Sequence, residues 1–278
     1  MEKTRYILTL SCPDKIGIVA AVTNWLLDHE GFIDESHHFG DAATGQFFMR
    51  TLFESPKELH DGMFQLLAQR FNMEFSLTPE SHVPPVIIMV SKEGHCLNDL
   101  LHRISIGSLS MRVVGIVSNH ETLRKFAEFQ NIPFFYFPIT TKEEQEQRVL
   151  DLIEKEGVEL VIMARYMQIL SDDFCKALPG KVINIHHSFL PSFKGAKPYH
   201  QAFARGVKLI GASAHYATAD LDEGPIIDQE TARVSHQHTP VQLREIGRDL
   251  ENIVLARAVK YHIEKRVLLN KNKTVVFN

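Results

Sequence analysis

Apolar residues in the first part of the chain recur with two spacings, every second residue in some stretches and every third or fourth in others. The first spacing is typical of strands and the second of amphipathic helices. They predict a strand at 5–11, a helix ending near Gly31, strands at 31–40 and 45–54, a helix at 56–70 and a strand at 71–78. This βαββαβ order is that of the ferredoxin-like fold.

From residue 86 onward the predicted strands are nearly continuous apolar runs, and amphipathic helices separate them. Strands have this composition when helices cover both faces of a parallel sheet. We therefore predict an α/β domain with a doubly wound, mostly parallel, Rossmann-like sheet. Its predicted strands are 86–90, 111–117, 133–137, 158–163 and 182–186, and its predicted helices are 94–108, 121–129 and 142–156.

The pattern changes after residue 190. The sequence there predicts a short helix at 197–205, strands at 207–216 and 225–234 that form a hairpin-like addition to the sheet, and a long helix at 240–265. A polar, proline-rich stretch separates the two halves of the chain, as is typical of a linker. The predicted domains are therefore residues 1–80 and 86–278, joined by a linker at 81–85.

The composition excludes several classes of protein. The 278 residues suffice for two domains, and a formal net charge of −4 without a basic stripe argues against nucleic-acid binding. No apolar stretch approaches the roughly 18 residues of a membrane helix, and the start lacks a signal-peptide pattern. The cysteines Cys12, Cys96 and Cys175 are scattered and lack zinc-ligand spacing. We expect a cytoplasmic protein with reduced thiols and no metal or cofactor.

The candidate chemistry lies at the end of the predicted strand 182–186. Side chains alternate along a strand, so Asn184 and His186 share one side of it. The carboxyl end of a strand is where an open α/β sheet usually binds its ligand. The later segment 220–225 contains Asp222, which can add a carboxylate to the amide and the imidazole.

These three side chains suit attack on a carbonyl group. An amide donates to a developing oxyanion, and a histidine beside a carboxylate moves a proton near neutral pH. Ser188 lacks the G-x-S-x-G elbow of an activated serine nucleophile, so water or a substrate amine is the expected attacking group. Two alternatives are that His186, His187, His215 and Asp222 bind a metal, without any standard ligand spacing, or that Asp222 only forms a turn.

Two resemblances make this picture more specific. The segment 14–19 resembles the D-x-x-G-[IL]-[VL] start of ACT domains, which are regulatory modules that often bind amino acids between copies. This resemblance implies an amino-acid effector and a homo-oligomer, and the whole-chain resemblance described below suggests methionine as activator and glycine as inhibitor. The implied effector-binding residues are Asp14, Lys15, Ile16 and Gly17.

The second resemblance covers about residues 85 to 265. The segments 184–193 and 221–227 resemble the formyltransferase family, which uses 10-formyltetrahydrofolate, and its catalytic Asn, His and Asp match Asn184, His186 and Asp222. The segment 165–171 resembles the family's folate pocket. The resemblance implies that folate contacts come from Met167, Gln168, Ile169 and Leu170 and from the loop of Ala217, Thr218, Ala219 and Asp220.

Two departures narrow the choice within that family. The segment 91–97 contains one glycine where members that transfer the formyl group to a ribonucleotide have a Gly-rich phosphate loop. His187 stands where proline is more usual, and together with the ACT-like segment it resembles the formyltetrahydrofolate deformylases. The implied reaction is hydrolysis of 10-formyltetrahydrofolate, the substrate, to formate and tetrahydrofolate, with formate supplied to purine synthesis and the one-carbon folate pool kept in balance. The alternatives are formyl transfer to an amine and a non-catalytic amino-acid or folate sensor.

Overall fold

The structure, a computed structural model, describes residues 3–139, 141–191 and 198–278. The chain divides into two compact units, one formed by Met1–His82 with Glu264–Asn278 and the other by Val83–Ile263. Among the described residues, no helix has both the length and the apolar character required to cross a membrane.

The first unit has a four-stranded antiparallel sheet. Its elements in chain order are β1 (Thr4–Pro13), α1 (Ile18–Asp28), β2 (Phe32–Asp41), β3 (Gln46–Ser55), α2 (Asp61–Phe71) and β4 (Glu74–Pro79). The strand order is β2-β3-β1-β4, which confirms the predicted βαββαβ arrangement. Every second residue of β1, from Tyr6 to Cys12, is buried in one core with α1 and α2 because strand side chains alternate between faces.

The second unit is built on a seven-stranded sheet with the order β11-β10-β9-β8-β5-β6-β7. Strands β5 to β9 are parallel, and β10 and β11 form the antiparallel hairpin that the sequence predicts. The elements are β5 (Pro85–Val90), α3 (His95–Ser105), β6 (Arg112–Ser118), α4 (Arg124–Phe129), β7 (Phe134–Tyr136), α5 (Lys142–Glu156), β8 (Leu160–Met163), α6 (Asp172–Ala177), β9 (Val182–His186), α7 (Pro198–Arg205), β10 (Leu209–Tyr216), β11 (Ile226–Arg233) and α8 (Pro240–Ile263).

The topology of this sheet places a ligand crevice beside β8 and β9. The chain runs outward from β5 through β6 and β7 on one side, and through β8 and β9 on the other. The strand order therefore reverses between β5 and β8, and in doubly wound sheets ligands bind at the carboxyl ends of the strands next to such a point. All six residues of β5 are buried, as its continuous apolar sequence predicts.

The C-terminal residues depart from the predicted domain boundary. Strands β12 (Val267–Asn270) and β13 (Lys273–Val276) form a hairpin that belongs to the first unit, although the sequence prediction assigned 264–278 to the second domain. The physical reason is polar pairing with the first sheet. Buried Arg50 on β3 donates from Nε to the carbonyl of Glu264 over 3.1 Å, and Asn270 donates to Asp41 over 2.7 Å.

Candidate active site

A cavity of about 680 Å³ lies at the carboxyl ends of β8 and β9. Its volume is that of a site for one small molecule. The lining comes from the loop after β8, from β9, from the end of β10 and the loop after it, and from α7 and α8. The lining residues are Met163, Arg165, Tyr166, Met167, Gln168, Ile169, Leu170, Asn184, Ile185, His186, His187, Tyr199, His200, His215, Ala217, Thr218, Leu221, Asp222, Pro240 and Arg244.

The structure brings Asn184, His186 and Asp222 together in this cavity. Nδ1 of His186 lies 3.1 Å from Oδ1 of Asp222, and both side chains are almost completely buried. Nε2 of His186 is buried and has no hydrogen-bond partner among the described residues. The His186 ring is therefore oriented by Asp222 through one nitrogen, while the other nitrogen is left for a substrate.

A tight loop after β10 carries Asp222 to this position. Asp222 has a φ of +58°, in the left-handed region that few residues other than glycine, asparagine and aspartate adopt. Gly224 approaches β10 so closely that a Cβ atom there would lie 1.7 Å from the carbonyl oxygen of Tyr216. The amide of Tyr216 donates in turn to the carbonyl of Pro225 over 3.0 Å. The sequence Asp-Glu-Gly thus forms a turn, and the same turn directs the Asp222 carboxylate toward His186.

His215 is a fourth polar member that the predicted catalytic set did not include. Its Nδ1 lies 2.9 Å from the carbonyl oxygen of Tyr216, which can only accept, so Nδ1 carries a proton. Nε2 is then free to accept the hydrogen bond from Nδ2 of Asn184, 3.2 Å away, and it lies 3.7 Å from Oδ1 of Asp222. His215 lies directly opposite Asn184 in the pairing of β9 and β10. His215 therefore fixes the orientation of the Asn184 amide.

Two groups of the site, Asp222 and His187, have clearly shifted pKa values. Burial by itself would raise the pKa of Asp222, but the hydrogen bond from His186 and the nearby imidazole of His215 outweigh it, and the pKa of this carboxyl is lowered well below its usual range. Burial is the main cause that lowers the pKa of His187 from 6.5 to about 4, and the nearby charge of Arg165 contributes to the same shift. Asp222 is therefore charged at neutral pH, while His187 is uncharged.

The side chains whose spacing could suit a metal ion are not the ones that the sequence suggested. Within residues 3–139, 141–191 and 198–278, the group whose ligand atoms lie within 4.8 Å of one another is His95, Cys96 and Glu251. Nε2 of His95 and Oε2 of Glu251 are 2.7 Å apart and hydrogen-bonded. Burial raises the pKa of the Cys96 thiol well above its usual value, which disfavours the thiolate that binds metals. This group differs from the set of histidines and Asp222 that was weighed as a metal site.

Comparison with known proteins identifies the family. The family model described as Formyl transferase matches residues 85–259. The chain is 48% identical to a formyltetrahydrofolate deformylase of Corynebacterium sp. (strain P-1), over 99% of each chain. It is 47% identical to that of Bacillus subtilis (strain 168), over 98% of this chain and 93% of the relative. The chain belongs to the formyltetrahydrofolate deformylase family.

Solved structures place the deformylase family beside the transferases. A deformylase from Burkholderia mallei superposes with a TM-score of 0.95 at 52% identity, covering 99% of this chain and 100% of that one. A glycinamide ribonucleotide transformylase from Symbiobacterium toebii superposes with a TM-score of 0.68 at 25% identity, covering 73% of this chain and 98% of that one. The predicted fold class and the predicted relationship to the deformylase family are both confirmed.

Some of the residues expected to contact folate lie in the cavity wall and others do not. Met167, Gln168, Ile169, Leu170, Ala217 and Thr218 line the cavity, whereas Ala219 and Asp220 are not part of its lining. The loop turns outward at these two positions, and both are exposed. Residues 192–193, the end of the motif that begins at Asn184, and the predicted connector 194–195 lie outside the described residues.

Several lining residues were not predicted. Arg165, Tyr199, His200 and Arg244 reach the cavity from three different elements. Arg165 is the first residue of the segment 165–171 that resembles the family's folate pocket, although it was not among the expected folate contacts. No local pattern marks the other three, because they come from α7 and α8 and only the folded chain brings them near β9.

The predicted effector residues form one turn in the first unit. Asp14 to Gly17 lie between β1 and α1, and Gly17 has a φ of +95°, which favours glycine. The amide of Asp14 donates to the carbonyl of Gly45 over 2.9 Å, and Ile16 is fully exposed. Among the residues that the structure describes, no side chain caps the N-terminus of α1.

Proposed function

We propose that this protein hydrolyses 10-formyltetrahydrofolate, using water to release formate and tetrahydrofolate. The observation that carries the proposal is the His186–Asp222 pair, 3.1 Å apart, beside Asn184 in a cavity sized for one small ligand. Membership of the deformylase family supports the same reaction. The formate would supply purine synthesis, and the reaction would keep the one-carbon folate pool in balance.

Asn184 and His186 are suited to hold the formyl oxygen. One N–H of the Asn184 amide is used by His215, which leaves the second N–H for the substrate. Nε2 of His186 has no other partner among the described residues and can donate to the same oxygen when it is protonated. Negative charge develops on this oxygen as water adds, and preorganised donors stabilise that charge in a buried site.

Asp222 would orient the attacking water and stabilise the imidazolium of His186. Its lowered pKa makes it a weak base, so its main contribution is electrostatic and geometric. Water adds to the formyl carbon and gives up one proton, and the bond to N10 breaks as N10 gains one. The two proton transfers balance, and the site needs no additional reagent.

The apolar part of the cavity is suited to the pterin ring. Met167 and Ile169 expose more than half of their side chains, and Leu170 and Ala217 line the same cavity. Large apolar side chains exposed in a pocket are suited to cover a flat ring, which removes them from water. Backbone groups of this segment would then contact the polar edge of the pterin.

The first unit would act as an amino-acid sensor, with methionine as activator or glycine as inhibitor. The carboxylate of a free amino acid could bind the N–H groups at the start of α1, next to the turn at 14–17. Such modules pair between copies, so we propose a homo-oligomer. The three described cysteines are free and buried, consistent with the cytoplasmic location that we propose.

The reaction is tested by incubating purified protein with 10-formyltetrahydrofolate in a buffer without amines. We expect formate and tetrahydrofolate to appear in equal amounts. Formyl transfer that requires an added amine would favour a transferase, and no turnover under any condition would favour a non-catalytic sensor. Repeating the assay with methionine and with glycine tests the proposed regulation.

A further inference from the structure

Arg165 occupies an unusual position in the cavity wall. It follows β8 with a φ of +66°, in the left-handed region that favours glycine. Its side chain is only 14% exposed, and its Nε and Nη1 atoms are buried without a hydrogen-bond partner among the described residues. A strained backbone and a buried, incompletely paired guanidinium both oppose folding. Such a residue therefore points to a role in the site.

A buried network fixes this arginine. Its Nε lies 3.5 Å from Oε2 of Glu251, a residue of α8 that is 1% exposed. Glu251 also accepts from the hydroxyl of Tyr199 over 2.9 Å and is bonded to Nε2 of His95 over 2.7 Å. Three elements of the second unit thus converge on one carboxylate, which holds Arg165 in place.

The buried network around Arg165 lies beside the reacting groups. Arg165, Tyr199 and His187 line the same cavity as His186. The His187 ring stacks on the ring of His186 with centroids 5.1 Å apart, and the charge of Arg165 lowers the pKa of His187. The lining is therefore divided between an apolar part that suits a pterin and a rigid polar part that presents the guanidinium of Arg165.

A formyl transferase must hold a folate and an amine acceptor together, whereas a hydrolase needs room for the folate and one water. Primary amines are mostly ammonium ions at neutral pH, and a nearby guanidinium repels them. We propose that Arg165, held by Glu251, excludes amine acceptors from the His186–Asp222 pair by its bulk and its charge, and so makes water the acceptor. This inference rests on the proposed hydrolysis, because it concerns the choice of acceptor in that reaction.

The test is the ratio of N-formylated amine to formate produced from 10-formyltetrahydrofolate. The probe is glycinamide, with the rate without enzyme subtracted. In Arg165→Gly, the new glycine suits the positive φ of this position, and the substitution both enlarges the cavity and removes the positive charge. We expect the ratio to rise at least about tenfold over the wild type, since loss of a steric contact in a specificity pocket has effects of this size. Glu251→Gln keeps the shape but removes the ion pair that fixes Arg165, so the arginine side chain can leave the cavity wall and open space for the acceptor. The ratio should rise by less than in Arg165→Gly, because the positive charge remains.

The matched control is Lys271→Gly, which makes the same kind of change at an exposed residue with a φ of +57° in the C-terminal hairpin. Its ratio should equal that of the wild type.

A ratio within twofold of the wild type in both Arg165→Gly and Glu251→Gln would overturn the inference. Loss of both products in a folded Arg165→Gly would also overturn it, because Arg165 would then be needed for hydrolysis itself. If Arg165→Gly does not fold, the ratio in Glu251→Gln decides. Absence of formate from the wild type would instead refute the proposed hydrolysis.

Discussion

Nδ1 of His186 lies 3.1 Å from Oδ1 of Asp222, which joins the end of a central strand to a loop beyond the next strand. The carboxylate is ionised and nearly buried, so it holds the imidazole in one orientation. The same carboxylate lies 3.7 Å from Nε2 of His215, whose other contact orients Asn184. Asp222 therefore links all of the polar groups proposed to act on the formyl group.

Replacing Asp222 by asparagine should abolish most of the activity while folate still binds. The amide keeps the shape but carries no charge, so it neither stabilises the imidazolium of His186 nor orients water as an acceptor. We expect kcat to fall by more than about 10³-fold, beyond the loss of a single oxyanion donor. Formate release and the Kd for a folate, measured by fluorescence, separate catalysis from binding.

The matched control for this variant is Asp249→Asn, which changes an exposed carboxylate on α8. It should leave both kcat and the Kd unchanged. Turnover near the wild-type level in Asp222→Asn would show that this carboxylate is not part of the catalytic machinery.

Replacing His215 should impair catalysis by releasing the Asn184 amide. Without the acceptor at Nε2, the amide loses one hydrogen bond, and kcat should fall roughly tenfold in His215→Phe. His215→Gln offers another acceptor and should retain more activity, while Asn184→Ala should lose about 10²–10³. Measurement of kcat and KM for the three variants tests this role. If His215 were only structural, kcat would fall equally in His215→Phe and His215→Gln.

The local part of this site could be predicted from the sequence. Alternation along β9 predicts that Asn184 and His186 share a side, and a turn-forming Asp-Glu-Gly segment predicts the loop that carries Asp222. The role of His215 was not predictable in this way, because it depends on the pairing of β10 with β9. Likewise, Arg165 and Glu251 are distant in sequence, and only the packing of α8 brings them together.

The fold was predicted wherever one element showed a long, regular pattern. Helix α5 has the predicted bounds, and the apolar runs of β5 to β9 give a parallel sheet. The six-residue helix α6 is too short to show helical periodicity. The strands β12 and β13 have four residues each, and polar contacts with the first unit determine where they pack.

Protein stability should depend on pH through His187. Its pKa is about 4 in the folded protein against 6.5 for an ordinary histidine, so the unfolded chain binds more protons between these values. Stability is therefore fully present above pH 6.5 and is lost as the pH falls toward 4, by at most about 1.4 kcal/mol per pH unit. In His187→Asn, the free energy of unfolding should no longer show this part of the decrease. Urea unfolding measured at several pH values between 6.5 and 4 tests this.

The exposed histidine at position 236 provides the control for that measurement. His236→Gln should keep the wild-type dependence on pH. An unchanged slope in His187→Asn would mean that the imidazole is not held neutral by its surroundings.

Amino-acid regulation should depend on the turn before α1. Asp14→Ala removes a side chain of the first unit at the proposed effector site. We expect basal formate release to stay the same and the methionine concentration for half-maximal activation to rise at least about tenfold, which corresponds to loss of one charge-assisted hydrogen bond. Glu74→Ala, at an exposed position on β4, should respond as the wild type does. Equal responses in all three proteins would contradict an effector site at this turn.

The central claim is that water is the formyl acceptor, and the most direct test is oxygen labelling. The wild-type protein is incubated with 10-formyltetrahydrofolate in H₂¹⁸O, and the released formate is analysed by mass spectrometry. If water attacks the formyl carbon, each formate molecule carries one ¹⁸O atom. Unlabelled formate, or a formylated amine in place of formate, would contradict the account.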